Sequence, residues 1–251
     1  MNTEAERELP ANAPGLRSGA LRIAIFTTTP DLLEDTWGSI LRSTPGVQAL
    51  LLCVQVPSTD FRSVLKRFRN NLRKHGILFL PYRTWAVFAE RHVPNVSATR
   101  FGQRSVEVDT ITCHSIHSDQ TLRAVRDWAP DVGISIGAPV LRDALFSIPK
   151  FGTLNVHCGE VPAFRGAPPA FWELYMRASR IGATFHRIDQ GLDTGRIIDE
   201  CAVPLYDSDT LQTASARAFE LGQNVFERGL LKLISGVPVS ERVQPGGGRT
   251  F

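Results

Sequence analysis

The stretch GTLNVHCGEVPAFRGAPPAFWEL, residues 152–174, passes from an apolar strand pattern into a loop with one arginine, two adjacent prolines and several aromatic residues. Successive strand residues point to opposite faces of a sheet. Asn155 and His157 therefore share one face and Val156 points to the other. Two polar side chains on one face at the end of a strand indicate a functional site rather than a core.

Strand-like and helix-like patterns alternate outward from this stretch in both directions. The strand-like segments, with apolar runs or polar–apolar alternation, lie at 21–29, 47–56, 105–113, 131–138, 153–157, 182–189 and 197–205. Amphipathic or helix-like segments lie at 31–42, 60–76, 118–131, 139–149, 168–179 and 208–235. This alternation predicts an α/β fold with a Rossmann-like, open and mostly parallel sheet covered by helices on both faces.

We expect three parts along the chain. Residues 1–20 begin with acidic charge and lack an apolar stretch of signal-peptide length, so a disordered tail is expected there. Residues 21–205 carry the alternating pattern and form the main domain, and residues 206–251 form a C-terminal helix and a loop-like tail. Whether the natural chain continues past Phe251 stays open.

The composition is that of an ordinary globular chain, with 43% hydrophobic and 21% charged residues among 251. A net charge of +3 is too small to indicate nucleic-acid binding, because such proteins concentrate basic charge on one surface. No run reaches the roughly 18 apolar residues that a membrane-spanning helix needs. We therefore expect neither a nucleic-acid partner nor a membrane.

The cysteines are far apart and form no CxxC pair, which argues against a disulfide framework and a zinc site. They are Cys53, Cys113, Cys158 and Cys201. This usage favours a reducing, cytoplasmic setting and no metal. His114 and His117 lie beside Cys113 as candidate metal ligands, but loop polarity explains them equally and no fourth ligand is evident.

A third polar residue, Asp193, is expected near Asn155 and His157. Asp193 lies in the turn GLDTG after a later strand, and open α/β sheets bind ligands beyond the carboxyl ends of their strands. An amide and an imidazolium can donate hydrogen bonds to an oxyanion, and a carboxylate can orient and charge the imidazole. The three residues together favour a reaction that passes through a tetrahedral oxyanion.

Two segments resemble the folate-dependent formyltransferases, the family that includes methionyl-tRNA, glycinamide ribonucleotide and amino-sugar N-formyltransferases. They are SIPKFGTLNVHCGEVPAFRGAPPAFWEL and GATFHRIDQGLDTGRII. The combination N-x-H, P-x-x-R-G and D-x-G-x-D-T-G at these separations is specific, although each piece alone is weak. The resemblance covers residues 130–205 well and the remainder in outline.

The resemblance implies a role for each matching position. Asn155, His157 and Asp193 match the catalytic residues, with Asn155 and His157 holding the oxyanion and Asp193 keeping His157 charged. Two segments match the main-chain pocket for the pterin of the donor, 10-formyltetrahydrofolate. They consist of Gly137, Ala138, Pro139, Val140 and Leu141, and of Arg187, Ile188, Asp189, Gln190 and Gly191. Arg165 and Gly166 match a substrate loop, in which Arg165 either positions the loop or contacts substrate.

Cys158, the D-T-G turn and the basic helix each allow a second interpretation. Cys158 could act as a nucleophile, but on a strand it points away from His157, which favours a small buried thiol. A single D-T-G in an α/β chain does not suit an aspartic protease, which needs paired carboxylates. The basic helix at 60–76 is either a solvated face or a surface that steers an anionic partner.

The resemblance implies transfer of a formyl group to a primary amine, and the acceptor stays open. A small substrate, such as a nucleotide-linked amino sugar or a natural-product amine, is favoured because no RNA-binding module is evident. The alternatives are a methionyl-tRNA formyltransferase-like enzyme with a reduced C-terminal region, and a non-catalytic folate- or nucleotide-binding protein. No GxGxxG follows the first strand, which counts against a dinucleotide. A homodimer is compatible with the sequence.

Overall fold

The computed structural model describes residues 21–57, 69, 106–235 and 239–251. The tail predicted at 1–20 lies outside these residues, and so does the basic helix predicted at 60–76, apart from Arg69.

The described residues form one sheet with strand order β3-β2-β1-β4-β5-β6-β7. The strands are β1 (Leu21–Thr27), β2 (Val47–Gln55), β3 (Glu107–Cys113), β4 (Val132–Ser135), β5 (Thr153–His157), β6 (Arg180–Arg187) and β7 (Ile197–Pro204). The first five strands pair in parallel, whereas β6 is antiparallel to β5 and β7 is antiparallel to β6. The prediction of an open, mostly parallel sheet is confirmed.

Helices cover both faces of this sheet, as predicted. They are α1 (Thr36–Ser43), which follows a 3-10 turn at Leu32–Glu34, α2 (Asp119–Trp128), α3 (Asp143–Phe146), α4 (Phe171–Tyr175) and α5 (Leu211–Ile234). Ile23 and Ile25 of β1 pack in a core with α1 and α5, and Phe26 packs in a second core with α2 and α3. Because β1 is covered on both faces, its sequence is apolar without alternation.

The helix predicted at 168–179 is only five residues long, and the backbone explains why. Pro168 and Pro169 have no N–H to donate, and Ala170 adopts a left-handed conformation with φ of 62°, so the helix begins only at Phe171. Arg177, with φ of 50°, lies in the left-handed region just beyond its end. The preceding residues therefore remain a loop beside His157.

The strand predicted at 131–138 ends at Ser135. Gly137 has φ of 59°, which turns the chain away from the sheet. The residues that follow form a loop before α3 begins at Asp143. The sequence pattern overestimated this strand because the apolar run continues into the loop.

None of the helices in the described part of the chain is both long enough and apolar enough to cross a membrane.

The long helix α5 approaches β6 closely at Gly229. A Cβ on this glycine would stand 2.2 Å from Cδ1 of Phe185, whose side chain is completely buried. The ring cannot move aside into solvent, so the absence of a side chain at Gly229 allows α5 to lie against the sheet.

We therefore expect Gly229→Ala to destabilise the protein. Alanine favours a helix over glycine by about 1 kcal/mol, but overpacking a core costs about 1–3 kcal/mol. Because the clash is severe, we expect a net loss of about 1 to 2 kcal/mol in the free energy of unfolding, measured by urea denaturation.

Gly246→Ala is the matched control, because a Cβ on Gly246 would meet no atom of the described residues within 4 Å. Equal stabilities of the two variants would contradict this account of the α5–β6 contact.

Candidate active site

Strand β5 presents Asn155 and His157 on the sheet face opposite α5. Leu154 and Val156, which alternate with them, pack in the core that α5 covers. The antiparallel neighbour β6 places His186 beside Asn155 and Thr184 beside His157. The polar face inferred from the sequence therefore exists, and it extends onto the next strand.

The turn between β6 and β7 brings Asp193 to this face. The carboxylate of Asp189 shapes the turn by accepting hydrogen bonds from the Gly191 N–H at 3.0 Å and the Thr194 hydroxyl at 2.5 Å. Asp193 itself adopts φ of 52°, a left-handed conformation that aspartate tolerates better than most residues. Asp189 therefore supplies the side-chain hydrogen bonds that shape the turn.

The carboxylate of Asp193 contacts strand β5 and the loop that follows it. Its Oδ1 accepts a hydrogen bond from Asn155 Nδ2 at 3.2 Å, and its Oδ2 accepts one from the Gly166 N–H at 2.9 Å. Nδ1 of His157 lies 3.6 Å from Oδ2. The structure thus brings together the three residues that match the family's catalytic residues. Gly166 of the predicted substrate loop lies beside them.

His186 is a member of this cluster that the sequence analysis did not assign. Its Nδ1 donates to the Arg187 carbonyl at 2.7 Å, so its Nε2 can accept from Asn155 Nδ2 at 3.3 Å. The same Nε2 lies 3.6 Å from Oδ1 of Asp193, and the side chain is 1% exposed. The signal was present in GATFHRID, where a polar His interrupts a buried strand.

Asp193 is held ionised by its neighbours. Burial alone would raise the pKa of this carboxyl, but the neighbouring His186 and His157 imidazoles and the Gly166 N–H outweigh it and lower the pKa to about 2. Asp193 is therefore a carboxylate at any working pH.

The His157 ring has an acceptor at each nitrogen. Its Nε2 donates to the Phe164 carbonyl at 2.8 Å, and its Nδ1 faces Asp193. Burial lowers the pKa of His157, the Asp193 carboxylate and the Phe164 carbonyl raise it, His186 lowers it, and the net direction is downward. Desolvation thus outweighs the carboxylate in the pKa of His157, and the role of Asp193 in keeping this ring charged stays a prediction.

The contacts of Arg165 favour the first of its two predicted roles, positioning the loop. Its guanidinium donates to Oε1 of Gln244 at 2.8 and 3.3 Å. Nε2 of Gln244 donates in turn to the carbonyls of Asp193 at 2.9 Å and Gly195 at 2.7 Å. Gln244 thus ties the substrate loop to the Asp193 turn, and no sequence signal marked it, because it lies in a loop-like tail 79 residues from Arg165.

The first predicted pterin segment lies directly after β4. Its Gly137 and Val140 carbonyls contact the Thr28 hydroxyl at 2.8 Å and Nε2 of His117 at 3.1 Å. The Val140 side chain is exposed, and Ala138 and Leu141 pack against the core that α2 and α3 cover. Pro139 offers no N–H for a ligand.

The second predicted segment, residues 187–191, packs partly on the same core through Ile188. The Arg187 side chain is directed elsewhere, with Nε donating to Glu241 at 2.7 Å and Nη1 to the Phe151 carbonyl at 2.8 Å. Gln190 and Gly191 are exposed. Both segments therefore border one core cluster, and their role in binding a pterin stays a prediction.

Cys158 is not an activated nucleophile. Its Sγ lies 3.0 Å from where a Cβ of Gly222 on α5 would stand, so it faces the helix rather than His157. Burial, followed by the nearby Glu173, raises the pKa of this thiol to about 12. Within the described residues, no group of three or more His, Cys, Asp or Glu side chains could hold a metal ion.

Comparison with known proteins identifies the family. A family model described as formyl transferase matches residues 89–230, more than half of the chain. The methionyl-tRNA formyltransferase of Koribacter versatilis (strain Ellin345) is 34% identical over 110 residues, which are 43% of this chain and 35% of that protein. The chain therefore spans about a third of the length of this curated relative.

Two solved structures share the fold. One is a 4-N formyltransferase from Francisella tularensis, with a TM-score of 0.60, 16% identity, and coverage of 92% of this chain and 76% of that one. The other is an N-formyltransferase from Helicobacter canadensis in complex with folinic acid and dTDP-3-aminofucose, with a TM-score of 0.55, 15% identity, and coverage of 92% and 71%. The family model, the sequence motifs and the shared fold agree, and the chain belongs to the folate-dependent formyltransferase family.

Proposed function

We propose that this protein transfers a formyl group from 10-formyltetrahydrofolate to a primary amine of a small substrate. The observation that carries the proposal is the cluster at the end of β5, in which Asp193 contacts Asn155 and lies 3.6 Å from His157. A hydrogen-bond donor beside a fixed carboxylate suits the developing oxyanion of acyl transfer. The family supplies the reaction class.

In the proposed reaction, the free amine attacks the formyl carbon and the formyl oxygen becomes an oxyanion. Nε2–H of His157, which donates to the Phe164 carbonyl at 2.8 Å, would turn its hydrogen bond to this oxyanion. Asp193, with a pKa near 2, stays anionic and stabilises the protonated form of His157 that donates to the oxyanion. A proton then passes from the amine nitrogen to N10 of the folate, and the C–N10 bond breaks to release tetrahydrofolate.

Asn155 has a different resting role from the one that the resemblance implies. An amide nitrogen carries two hydrogens, and Nδ2 has acceptors at Asp193 and His186. Donation to the oxyanion would require one of these contacts to break. We therefore assign Asn155 to orient Asp193 and His186 before the reaction, with oxyanion binding as a second step.

The donor is proposed to bind between residues 137–141 and 187–191. The complex of the Helicobacter canadensis N-formyltransferase with folinic acid supports a folate donor. Exposed Val140, Gln190 and Gly191 leave these main-chain segments accessible. We place the reaction in the cytoplasm, in agreement with the free cysteines.

The acceptor is proposed to be a nucleotide-linked amino sugar or another small amine. The cavity beside His157 has a volume of about 10 Å³, enough for about one water molecule, so the loop around it must shift before the reacting end of an acceptor can enter. Methionyl-tRNA is the second candidate, because the Koribacter versatilis relative carries that name.

Calorimetry with folinic acid tests the donor. We expect saturable binding at one site, because main-chain groups of the two loops recognise the pterin. The control ligand is p-aminobenzoylglutamate, which lacks the pterin and should bind far more weakly. A folded sample that releases no heat with folinic acid would remove the donor and the proposed reaction.

A second prediction concerns the histidine. His157→Asn keeps a hydrogen-bond donor but removes the positive charge of the imidazole, and losing a charged donor of this kind costs about 100- to 1000-fold in turnover. Amino sugars linked to dTDP and methionyl-tRNA would be tried as acceptors in steady-state assays. Folinic acid affinity should change little, because the pterin segments do not include His157.

Asp193→Asn serves as the partner variant. Both changes act on one ionised pair, so the double variant should lose much less than the two single losses combined. If turnover by His157→Asn is normal and only the Michaelis constant rises, His157 binds substrate and the proposed mechanism is wrong.

A further inference from the structure

A buried carboxylate that the proposed mechanism does not use lies beside the active site. Glu173 of α4 is 3% exposed, and it lines the same pocket as His157, Gly159 and Trp172. The chain between His157 and Glu173 forms the rest of the pocket wall, which includes Phe164 and the two prolines before α4.

No cation in the described part of the chain pairs with Glu173. The donor that lowers the pKa of its carboxyl is its own backbone N–H. The charged neighbour that raises the pKa of Glu173 is another acid, Glu160, and that residue pairs with Arg180. Arg165, which also lines the pocket, donates its guanidinium to Gln244. The other titratable groups that line the pocket are the Cys158 thiol and the His157 ring.

A carboxylate in this position is unfavourable without a ligand. Burial raises the pKa of Glu173, and the nearby Glu160 raises it further. Buried charges in proteins are normally paired. Removing an unpaired ion from water costs on the order of several kcal/mol, even after the surrounding protein relaxes. A small cation entering the pocket would offset this cost.

We propose that Glu173 is the subsite that binds the acceptor as its ammonium ion and takes one proton from it. This inference rests on the proposed function, because it assigns the amine of that reaction. The carboxylate accepts a proton from R–NH3⁺, which leaves the neutral amine R–NH2 and a protonated Glu173. The freed lone pair then attacks the formyl carbon held at His157, and the proton on Glu173 later returns to solvent.

The chemistry of the pocket favours an alkylammonium over a metal ion. Trp172 and Phe164, whose rings stack on Phe251, are among the residues that line it, and aromatic side chains attract organic cations. A divalent metal would need several anionic or carbonyl ligands, and the described residues offer no group of three metal-ligating side chains. One carboxylate with aromatic neighbours matches a singly charged amine.

Carbon-13 NMR of protein labelled at its glutamate carboxyl carbons tests this subsite without catalysis. Glu173→Gln identifies the Glu173 signal, and methylammonium is the probe. We expect methylammonium to shift that signal with saturation, whereas tetramethylammonium, which has no N–H, should not. A Glu173 signal that responds to methylammonium no more than the exposed Glu220 and Glu227 would overturn the proposal.

The same variant provides the kinetic test. Glutamine keeps the shape of the side chain and removes the buried charge, so Glu173→Gln should be at least as stable as the natural protein at neutral pH. A raised pKa in the folded state means that the natural protein gains stability as pH falls toward 4.5, and the variant should lack this gain. We expect turnover to fall by about 100-fold or more, as for loss of a general base.

Folinic acid calorimetry on both proteins separates this inference from the proposed function. Equal folinic acid binding with a large loss of turnover in Glu173→Gln supports the subsite. Equal binding with normal turnover would overturn it. If the natural protein binds no folinic acid, the proposed function fails, and the methylammonium titration alone decides whether Glu173 binds amines.

Discussion

The carboxylate of Asp193 is the constraint on which the site depends. It is buried, yet it accepts hydrogen bonds from Asn155 on β5 and from the Gly166 N–H in the following loop. The imidazoles of His157 and His186 each lie 3.6 Å from it. A buried carboxylate without such partners would be protonated or expelled, so these contacts fix where the turn and the loop can lie.

The chain after α5 completes this arrangement. Gln244 holds the Asp193 carbonyl, and the Arg249 N–H donates to the Pro162 carbonyl at 3.2 Å. Phe251 stacks on Trp172 with 4.4 Å between ring centroids. We therefore propose that residues 206–251 belong to the catalytic unit rather than to an appendage, because α5 fills one core and this segment lies against the substrate loop.

Both hydrogen-bond donors of the site already have protein acceptors. His157 donates to the Phe164 carbonyl, and Asn155 donates to Asp193 and His186. The Phe164 carbonyl thus accepts the hydrogen bond of His157 that we propose is donated to the formyl oxyanion during the reaction. A shift of the loop around Phe164 would exchange one acceptor for the other without leaving the donor unpaired in a buried site.

The sequence was sufficient for the sheet and for the clustering of Asn155, His157 and Asp193, because apolar strand patterns and a specific motif reflect local chemistry. Sequence-based prediction failed where the structure depends on tertiary contacts or on backbone conformation. Gln244 contacts the site only through folding of the tail, and α4 is short because of the left-handed Ala170. The downward pKa shift of His157 depends on burial, which no motif encodes.

The most direct test of this account is the titration of Asp193 by carbon-13 NMR of aspartate-labelled protein, with Asp193→Asn to assign the signal. A depressed pKa supplies stability that is present above about 3.8 and is lost as pH falls toward 2, on the order of 2 kcal/mol. The account predicts that the Asp193 signal remains that of a carboxylate while solvent-exposed aspartates become protonated. Protonation of Asp193 together with those surface groups would contradict it.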